Sequence, residues 1–184
     1  MSTHISRLRP EDALLLVVDV QERLLPAMFE AERISRHVSL LARAAKQLDL
    51  PVVVTEQYPQ KLGKTVAPIV DLLENHTPFS KTLFSACTPD MMQKLQSQSR
   101  RSIILCGLEA HVCVLQTALD LVENGYTVFL PQDAVSSRYE SDKRAGLERM
   151  KSIGAVGCST EMIVFELLRE AGTPDFKALL PFIK

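Results

Sequence analysis

Short apolar runs alternate with longer amphipathic stretches along most of the 184-residue chain. The run at 13–18 is continuous and rich in branched side chains, which is typical of a strand buried on both faces of a sheet. Residues 34–48 place apolar side chains three or four positions apart, as on one face of a helix. The same reasoning predicts further strands at 51–54, 77–81, 102–106, 126–130 and 155–158.

Helix start and stop signals lie between these strands. Thr88 followed by Pro89 and Asp90 predicts a capped helix start, and Gly125 ends a helical pattern that runs over 112–124. Strands that alternate with helices indicate parallel pairing through right-handed crossovers. The pattern therefore predicts a three-layer α/β/α fold of the Rossmann-like type, with a sheet of six parallel strands and ligands beyond the strands' carboxyl ends.

Composition narrows the class of protein. With 21 Lys+Arg against 22 Asp+Glu, the net charge is -1, so the excess of basic residues typical of nucleic-acid binding is missing. No apolar run approaches the roughly 20 residues that span a bilayer, and the first residues do not resemble a secretory signal. We therefore expect a single domain over 1–184 that is cytoplasmic and binds neither nucleic acid nor membrane.

Three residues at predicted strand ends are candidates for chemistry. Asp19 follows the first strand, although an aspartate there often only caps a turn. Cys113 comes at the start of a helix, where the dipole favours a thiolate, although a small buried hydrophobe is the commoner fate of a cysteine. Lys81 ends the third strand and would ordinarily be a surface residue with a partly buried stem.

These three side chains would form a nucleophilic site if the fold brings them together. A carboxylate can take a proton from a thiol and return it to a leaving group, while an ammonium favours the anionic thiolate. An Asp-Lys-Cys triad of this kind needs no histidine. Spacing alone leaves open whether the three converge.

Four segments in chain order carry a family resemblance. They are Val-Asp-Val-Gln at 18–21, Phe-Ser-Lys at 79–81, Gly-Leu-Glu-Ala-His-Val-Cys-Val-Leu-Gln-Thr-Ala at 107–118 and Asp-Ala-Val-Ser-Ser-Arg at 133–138. Together they resemble the isochorismatase-like cysteine hydrolases, a superfamily that includes nicotinamidases and N-carbamoylsarcosine amidases. The resemblance implies the strand order 3-2-1-4-5-6.

The resemblance also implies roles for individual residues. Cys113 would be the nucleophile, Asp19 the general base and then acid, and Lys81 the stabilising cation. A cis peptide bond would join Leu108 to Glu109, and the backbone N–H groups of Glu109 and Cys113 would form an oxyanion hole. The implied reaction is hydrolysis of an amide or related C–N bond in a small molecule, through a thioester intermediate.

The sequence departs from the family pattern in one region. Nicotinamidases hold a metal with an aspartate and histidines after the second strand, whereas 55–63 here contains no histidine, so we expect no metal and no cofactor. The substrate, and the choice between amide, carbamoyl and vinyl ether, stay open. Further residues beyond strands or in facing loops are expected to line the substrate pocket: Gln21, Phe29, Gln57, Tyr58, Leu83 and Phe84.

Two interpretations from other classes compete with the hydrolase. The fold could serve as a non-catalytic binding scaffold, or Cys113 could act as a redox sensor paired with Cys106 or Cys158. The apolar run at 176–183 is unusual for a chain end and should be docked, on its own domain or on a second subunit. The resemblance implies an oligomer, since members of the family are commonly oligomeric. Together with this run it predicts a homo-oligomer, most simply a dimer or a tetramer.

Overall fold

The computed structural model describes residues 7–73 and 77–183 of the chain. The strands are β1 (Ala13–Val18), β2 (Val52–Gln57), β3 (Phe79–Lys81), β4 (Ser102–Leu108), β5 (Thr127–Pro131), β6 (Val135–Ser136) and β7 (Val156–Cys158). The helices are α1 (Ala31–Gln47), α2 (Pro59–Leu62), α3 (Ala67–Val70), α4 (Pro89–Ser97), α5 (Leu115–Glu123), α6 (Glu140–Ser152), α7 (Thr160–Leu168) and α8 (Pro174–Ile183). A π-helical turn, Ala110–Val114, precedes α5.

The strands form one parallel sheet in the order β3-β2-β1-β4-β5-β7, and β6 pairs with the end of β4. This confirms the predicted three-layer fold and the order of its six longer strands. β6 was not predicted, because two residues are too short to show a hydrophobic period. It lies within the segment 133–138 that carries part of the family resemblance.

Buried residues of β1 point alternately to the two faces of the sheet. Leu15 and Val17 pack with α1 and α7 on one face, whereas Leu14, Leu16 and Val18 pack with α4, α5 and α6 on the other. Because both faces are covered, the strand is apolar throughout, as its sequence indicated. Asp19, the first polar residue after β1, therefore lies at the carboxyl edge of the sheet.

The apolar chain end is docked on its own domain. It forms α8, whose Leu179 is buried against Leu40, Ala44 and Val164 of α1 and α7. The sequence analysis did not identify this helix, which contains an internal proline at position 181. No helix in the described part of the chain is long and apolar enough to cross a membrane.

A single glycine lets β1 and β4 approach closely beside the candidate site. Gly107 has a φ of 125°, and a β-carbon there would lie 2.0 Å from the carbonyl oxygen of Val18. Val18 and Gly107 are also register partners in the sheet. Residue 107 therefore sets how closely the segment after β4 can lie against Asp19.

We predict that Gly107→Ala destabilises the protein by more than about 3 kcal/mol, since the contact is with backbone that cannot move aside. The matched control is Gly125→Ala, because Gly125 also has a positive φ, of 78°, but nothing among the described residues lies within 4 Å of its β-carbon position. That control should cost about 1 kcal/mol. Urea unfolding of both variants measures the difference, and equal losses would contradict the steric explanation.

Candidate active site

The carboxyl ends of four adjacent strands place the three candidate residues side by side. Asp19 follows β1, Lys81 ends β3, and Cys113 lies in the π-helical turn after β4. All three side chains are buried. The structure therefore brings together the residues that the sequence singled out, although β2 lies between Asp19 and Lys81 in the sheet.

Asp19 occupies an unusual backbone conformation at the end of β1. Its φ is 54°, in the left-handed region that aspartate enters more readily than most residues. Its N–H donates to the carbonyl of Thr55 at 3.1 Å, and the Thr55 hydroxyl donates to Oδ1 at 2.8 Å. The end of β2 thus fixes both the backbone and the carboxyl group of this residue.

Lys81 is held by four oxygen atoms. Its Nζ donates to Asp19 Oδ2 at 2.6 Å and to Gln57 Oε1 at 2.7 Å. The backbone carbonyls of Leu83 and Phe84 accept at 3.2 and 3.0 Å. These contacts satisfy the three protons of the ammonium group, which is what a buried charge requires.

Gln57 is the last residue of β2, the strand between those that end at Lys81 and Asp19, and it binds Lys81 directly. While its side-chain oxygen accepts from Lys81, its Nε2 donates to the carbonyl of Thr82 at 2.9 Å. The backbone N–H of Tyr58 also donates to the Lys81 carbonyl at 2.8 Å. The end of β2 therefore supports the lysine from one side and, through Thr55, the aspartate from the other.

Cys113 meets the ion pair from the β4 side. Besides burial, the Asp19 carboxyl acts on its thiol and raises the pKa of that thiol, whereas the backbone N–H of Glu109 lowers it. Val114 donates its N–H to the carbonyl of Glu109 at 3.1 Å, which is the five-residue bond of a π-helical turn, and the N–H of Val112 donates to the same carbonyl. Such turns are frequent at functional sites.

Burial keeps Cys113 in its thiol form at rest. Burial, followed by the negative charge of Asp19, raises the pKa of the Cys113 thiol to about 12, against the opposing effect of Lys81. The helix N-terminus was expected to favour the thiolate, but burial outweighs it and that expectation was wrong. Burial also raises the pKa of the Asp19 carboxyl, although Lys81 and Thr55 oppose the shift.

Glu109 sits on the other side of the nucleophile turn. The Leu108–Glu109 peptide bond is cis, as the family resemblance implied. The carboxylate of Glu109 accepts from Arg138 Nε at 2.8 Å, and its side chain is mostly buried while that of Arg138 is half-exposed. This ion pair ties the turn to the segment that follows β6.

The residues predicted to line a pocket fall into two groups. Gln21 is fully buried, and its amide bonds the backbone of Gln57 and Gly63, so like Gln57 it supports the loop after β2. Tyr58, Leu83 and Phe84 expose about half or more of their surface around Lys81, and Phe29 is half-buried beside β6. A role of any of these six in substrate binding stays a prediction.

Sequence reasoning missed Thr55 as part of the site. A threonine within a β2 strand pattern gives no signal until the register pairs it with Val18, one residue before Asp19. The other three cysteines, Cys87, Cys106 and Cys158, are free, and burial raises the pKa of the thiols of Cys87 and Cys158 to about 12. Among the residues described, no three His, Cys, Asp or Glu side chains cluster as metal ligands do.

We predict that Lys81→Met destabilises the protein by about 3–5 kcal/mol, because it leaves the Asp19 carboxylate buried without a cation. The double variant Asp19→Asn/Lys81→Met should recover a large part of that loss, since it removes the unpaired charge. Lys61→Met, at an exposed lysine, is the control and should change stability by less than about 0.5 kcal/mol. Urea unfolding at pH 7 measures all three, and no recovery in the double variant would contradict the pairing.

Comparisons with known proteins agree with this architecture. The family model described as the isochorismatase domain matches residues 13–177. The secreted isochorismatase effector Isc1 of Phytophthora sojae is 40% identical over 185 aligned residues, covering 98% of this chain and 88% of that protein. Isochorismatase domain-containing protein 2A of Mus musculus is 36% identical over 181 residues, covering 98% of this chain and 86% of that protein.

Solved structures show the same fold. MAR1 ribonuclease from Caenorhabditis elegans superposes with a TM-score of 0.92 at 37% identity, covering 97% of this chain and 92% of that one. The YcaC gene product of Escherichia coli, described as an octameric hydrolase of unknown specificity, gives a TM-score of 0.88 at 23% identity over 98% and 97% of the two chains, a likeness of fold alone. From the family model and these relatives, the chain belongs to the isochorismatase family and has its hydrolase fold.

Proposed function

We propose that the protein is a cysteine hydrolase that cleaves an amide or related C–N bond in a small molecule through a thioester intermediate. The observation that carries this proposal is the buried Asp19 carboxyl, which accepts a hydrogen bond from the Lys81 ammonium at 2.6 Å and whose charge acts on the neighbouring Cys113 thiol. A base that touches the nucleophile and is itself held by a fixed cation is the arrangement that covalent catalysis needs.

The first half of the reaction forms the thioester. Asp19 takes the thiol proton as the sulfur of Cys113 bonds to the substrate carbonyl carbon, and the oxygen becomes an oxyanion. The backbone N–H groups of Glu109 and Cys113 would donate to that oxygen. When the tetrahedral intermediate collapses, the C–N bond breaks and Asp19 gives its proton to the leaving amine.

The second half restores the thiol. A water molecule loses a proton to Asp19 as it attacks the thioester, and the C–S bond then breaks to release an acid. The thiolate recovers the proton from Asp19, which returns the site to its starting state. Lys81 holds the Asp19 carboxyl in place during both halves, and four oxygen atoms hold Lys81 itself.

The raised pKa values of the Cys113 thiol and the Asp19 carboxyl support their roles as nucleophile and general base. A thiol whose pKa is about 12 attacks only if a neighbouring base accepts its proton, and burial raises the pKa of Asp19 above the ordinary carboxyl value. That shift brings the carboxyl closer to the pH at which a general base works best. A metal ion has no assigned part in any of these steps.

We predict that iodoacetamide labels Cys113 of the native protein faster than Cys106 or Cys158, which are also buried but have no neighbouring base, and that Asp19→Asn slows this labelling at pH 7 by about 100-fold, the usual size of a base effect. Electrostatics alone predicts the opposite, because the Asp19 charge raises the pKa of the thiol. Mass spectrometry of the adducts measures the rates. Asp71→Asn, at an exposed carboxyl, is the control and should label like the native protein.

The pH profile of the same reaction separates the two explanations. With Asp19 as proton acceptor, the labelling rate of the native protein should depend weakly on pH between about 6 and 9, whereas a thiol without a base gains roughly ten-fold per unit below its pKa. Asp19→Asn should show the steep profile. An Asp19→Asn protein that labels as fast as the native one, or a native protein with no preference for Cys113, would overturn the hydrolase proposal.

The same experiment bears on the two competing interpretations. A non-catalytic scaffold has no use for an activated thiol and would label slowly at all four cysteines. A redox sensor would instead lose two hydrogens reversibly under mild oxidant as Cys113 pairs with Cys106 or Cys158. The name ribonuclease belongs to the C. elegans relative, and the net charge of -1 here does not favour RNA as substrate.

We also propose that the protein forms a homo-oligomer, as a dimer or a tetramer. Large apolar side chains are exposed around Lys81, before α6, and on α7 and α8: Tyr58, Leu83, Phe84, Tyr139, Met162, Phe165 and Phe182. The E. coli structural neighbour is described as octameric. The proposed cytoplasmic location stays a prediction, since one relative is described as secreted.

The assembly has a direct test. Light scattering coupled to size exclusion should give a mass of at least twice the 20.5 kDa of one chain. Phe182→Ser should lower the mass if α8 contributes to the interface, whereas Lys177→Ser on the same helix should not. A native protein that elutes with the mass of one chain at micromolar concentration would contradict the proposal.

A further inference from the structure

A glycine in α6 lies directly against the turn that carries Cys113. A β-carbon on Gly146 would lie 2.8 Å from the carbonyl oxygen of Ala110 and 2.9 Å from the amide nitrogen of His111. Both atoms belong to the start of the π-helical turn, Ala110–Val114. Helix α6 thus packs on the backbone of this turn with no side chain between them.

Helix propensity does not explain this glycine. Gly146 is buried in the middle of α6, where alanine would be favoured by about 1 kcal/mol. A residue that breaks the local rule in an otherwise ordinary helix indicates a packing or functional reason. Here the reason is the close approach, because both contacted atoms are backbone and neither can rotate away.

Further contacts hold the same turn from the segment between β6 and α6. Arg138 pairs with the Glu109 carboxylate at 2.8 Å, and His111 Nδ1 lies 2.9 Å from the hydroxyl of the fully buried Ser137. The turn is therefore fixed by polar contacts from residues 137 and 138 and by steric contact with Gly146. Its position decides where the Cys113 sulfur lies relative to Asp19.

We propose that Gly146 is a positioning residue for the nucleophile: by letting α6 rest on the Ala110–His111 peptide, it sets the depth at which Cys113 meets Asp19 and the Glu109 N–H group. This inference rests on the proposed function, in which Asp19 activates the thiol. A β-carbon at residue 146 displaces the turn by roughly half an ångström, and a misplacement of about 1 Å costs about 100-fold in rate.

The test is Gly146→Ala in the otherwise native protein, with iodoacetamide labelling of Cys113 followed by mass spectrometry from pH 6 to about pH 9. We expect the rate at pH 7 to fall about ten-fold and the pH profile to become steep, as in Asp19→Asn. The matched control is Gly157→Ala, since the atoms nearest to a β-carbon there belong to the flexible side chains of Lys151 and Gln132, at 2.9 and 3.0 Å. The control should keep the native rate and profile.

A purely structural role for Gly146 would lower the melting temperature and leave the pH profile flat, which would overturn the proposal. A rate at pH 7 equal to or faster than the native rate would overturn it as well. If Gly146→Ala does not fold, Ser137→Ala decides, because it removes only the hydroxyl that contacts His111. It should slow labelling about five-fold, the value of one hydrogen bond, and an unchanged rate would refute the claim that contacts on this turn position Cys113.

The two proposals fail in distinguishable ways. A native protein that shows no preference for Cys113 contradicts the cysteine hydrolase and, with it, the role of Gly146. A native protein that labels selectively at Cys113, beside a Gly146→Ala variant with the same rate and profile, contradicts the positioning role alone.

Discussion

The ion pair between Asp19 and Lys81 is the constraint around which the carboxyl edge of the sheet is built. Two charges removed from water must satisfy their remaining hydrogen-bonding capacity inside the protein. Thr55 does so for the aspartate, and Gln57 with two backbone carbonyls does so for the lysine. Because β2 separates the strands that bear the charges, its last residues have to carry these contacts. The order of the strands therefore determines which residues stabilise the ion pair.

Steric contacts fix the turn that carries Cys113, in addition to the polar contacts of Glu109 and His111. Gly107 allows β4 to approach β1, and Gly146 allows α6 to approach the turn after β4. Between these two contacts the backbone from 107 to 113 has little freedom, and it carries both the thiol and the Glu109 N–H group. Electrostatics then decides how the proton is shared, since burial raises the pKa of both Cys113 and Asp19.

Features that follow from the hydrophobic pattern could be predicted from the sequence. Features that depend on contacts between residues distant in the chain could not. Continuous apolar runs marked β1 and the order of elements, and the residues after the runs marked Asp19, Lys81 and Cys113. The sequence did not predict β6, because two residues are too short to show a hydrophobic period. It also did not predict α8, which contains Pro181. Thr55 and Gly146 act through neighbours that are distant in the chain, which no local period reports. The pKa of Cys113 was misjudged because burial cannot be read from a helix start.

In the loop after β3, the backbone and the side chains of the same residues have different roles. Leu83 and Phe84 hold Lys81 through their carbonyl groups, which every amino acid possesses, while their side chains face outward. Substitution at these positions therefore leaves the contacts to the ammonium group in place. Sequences can diverge there, and with them whatever the outer surface of the site recognises, without altering the proton chemistry beneath. The outer surface of this loop and the ion pair beneath it can therefore change independently of each other.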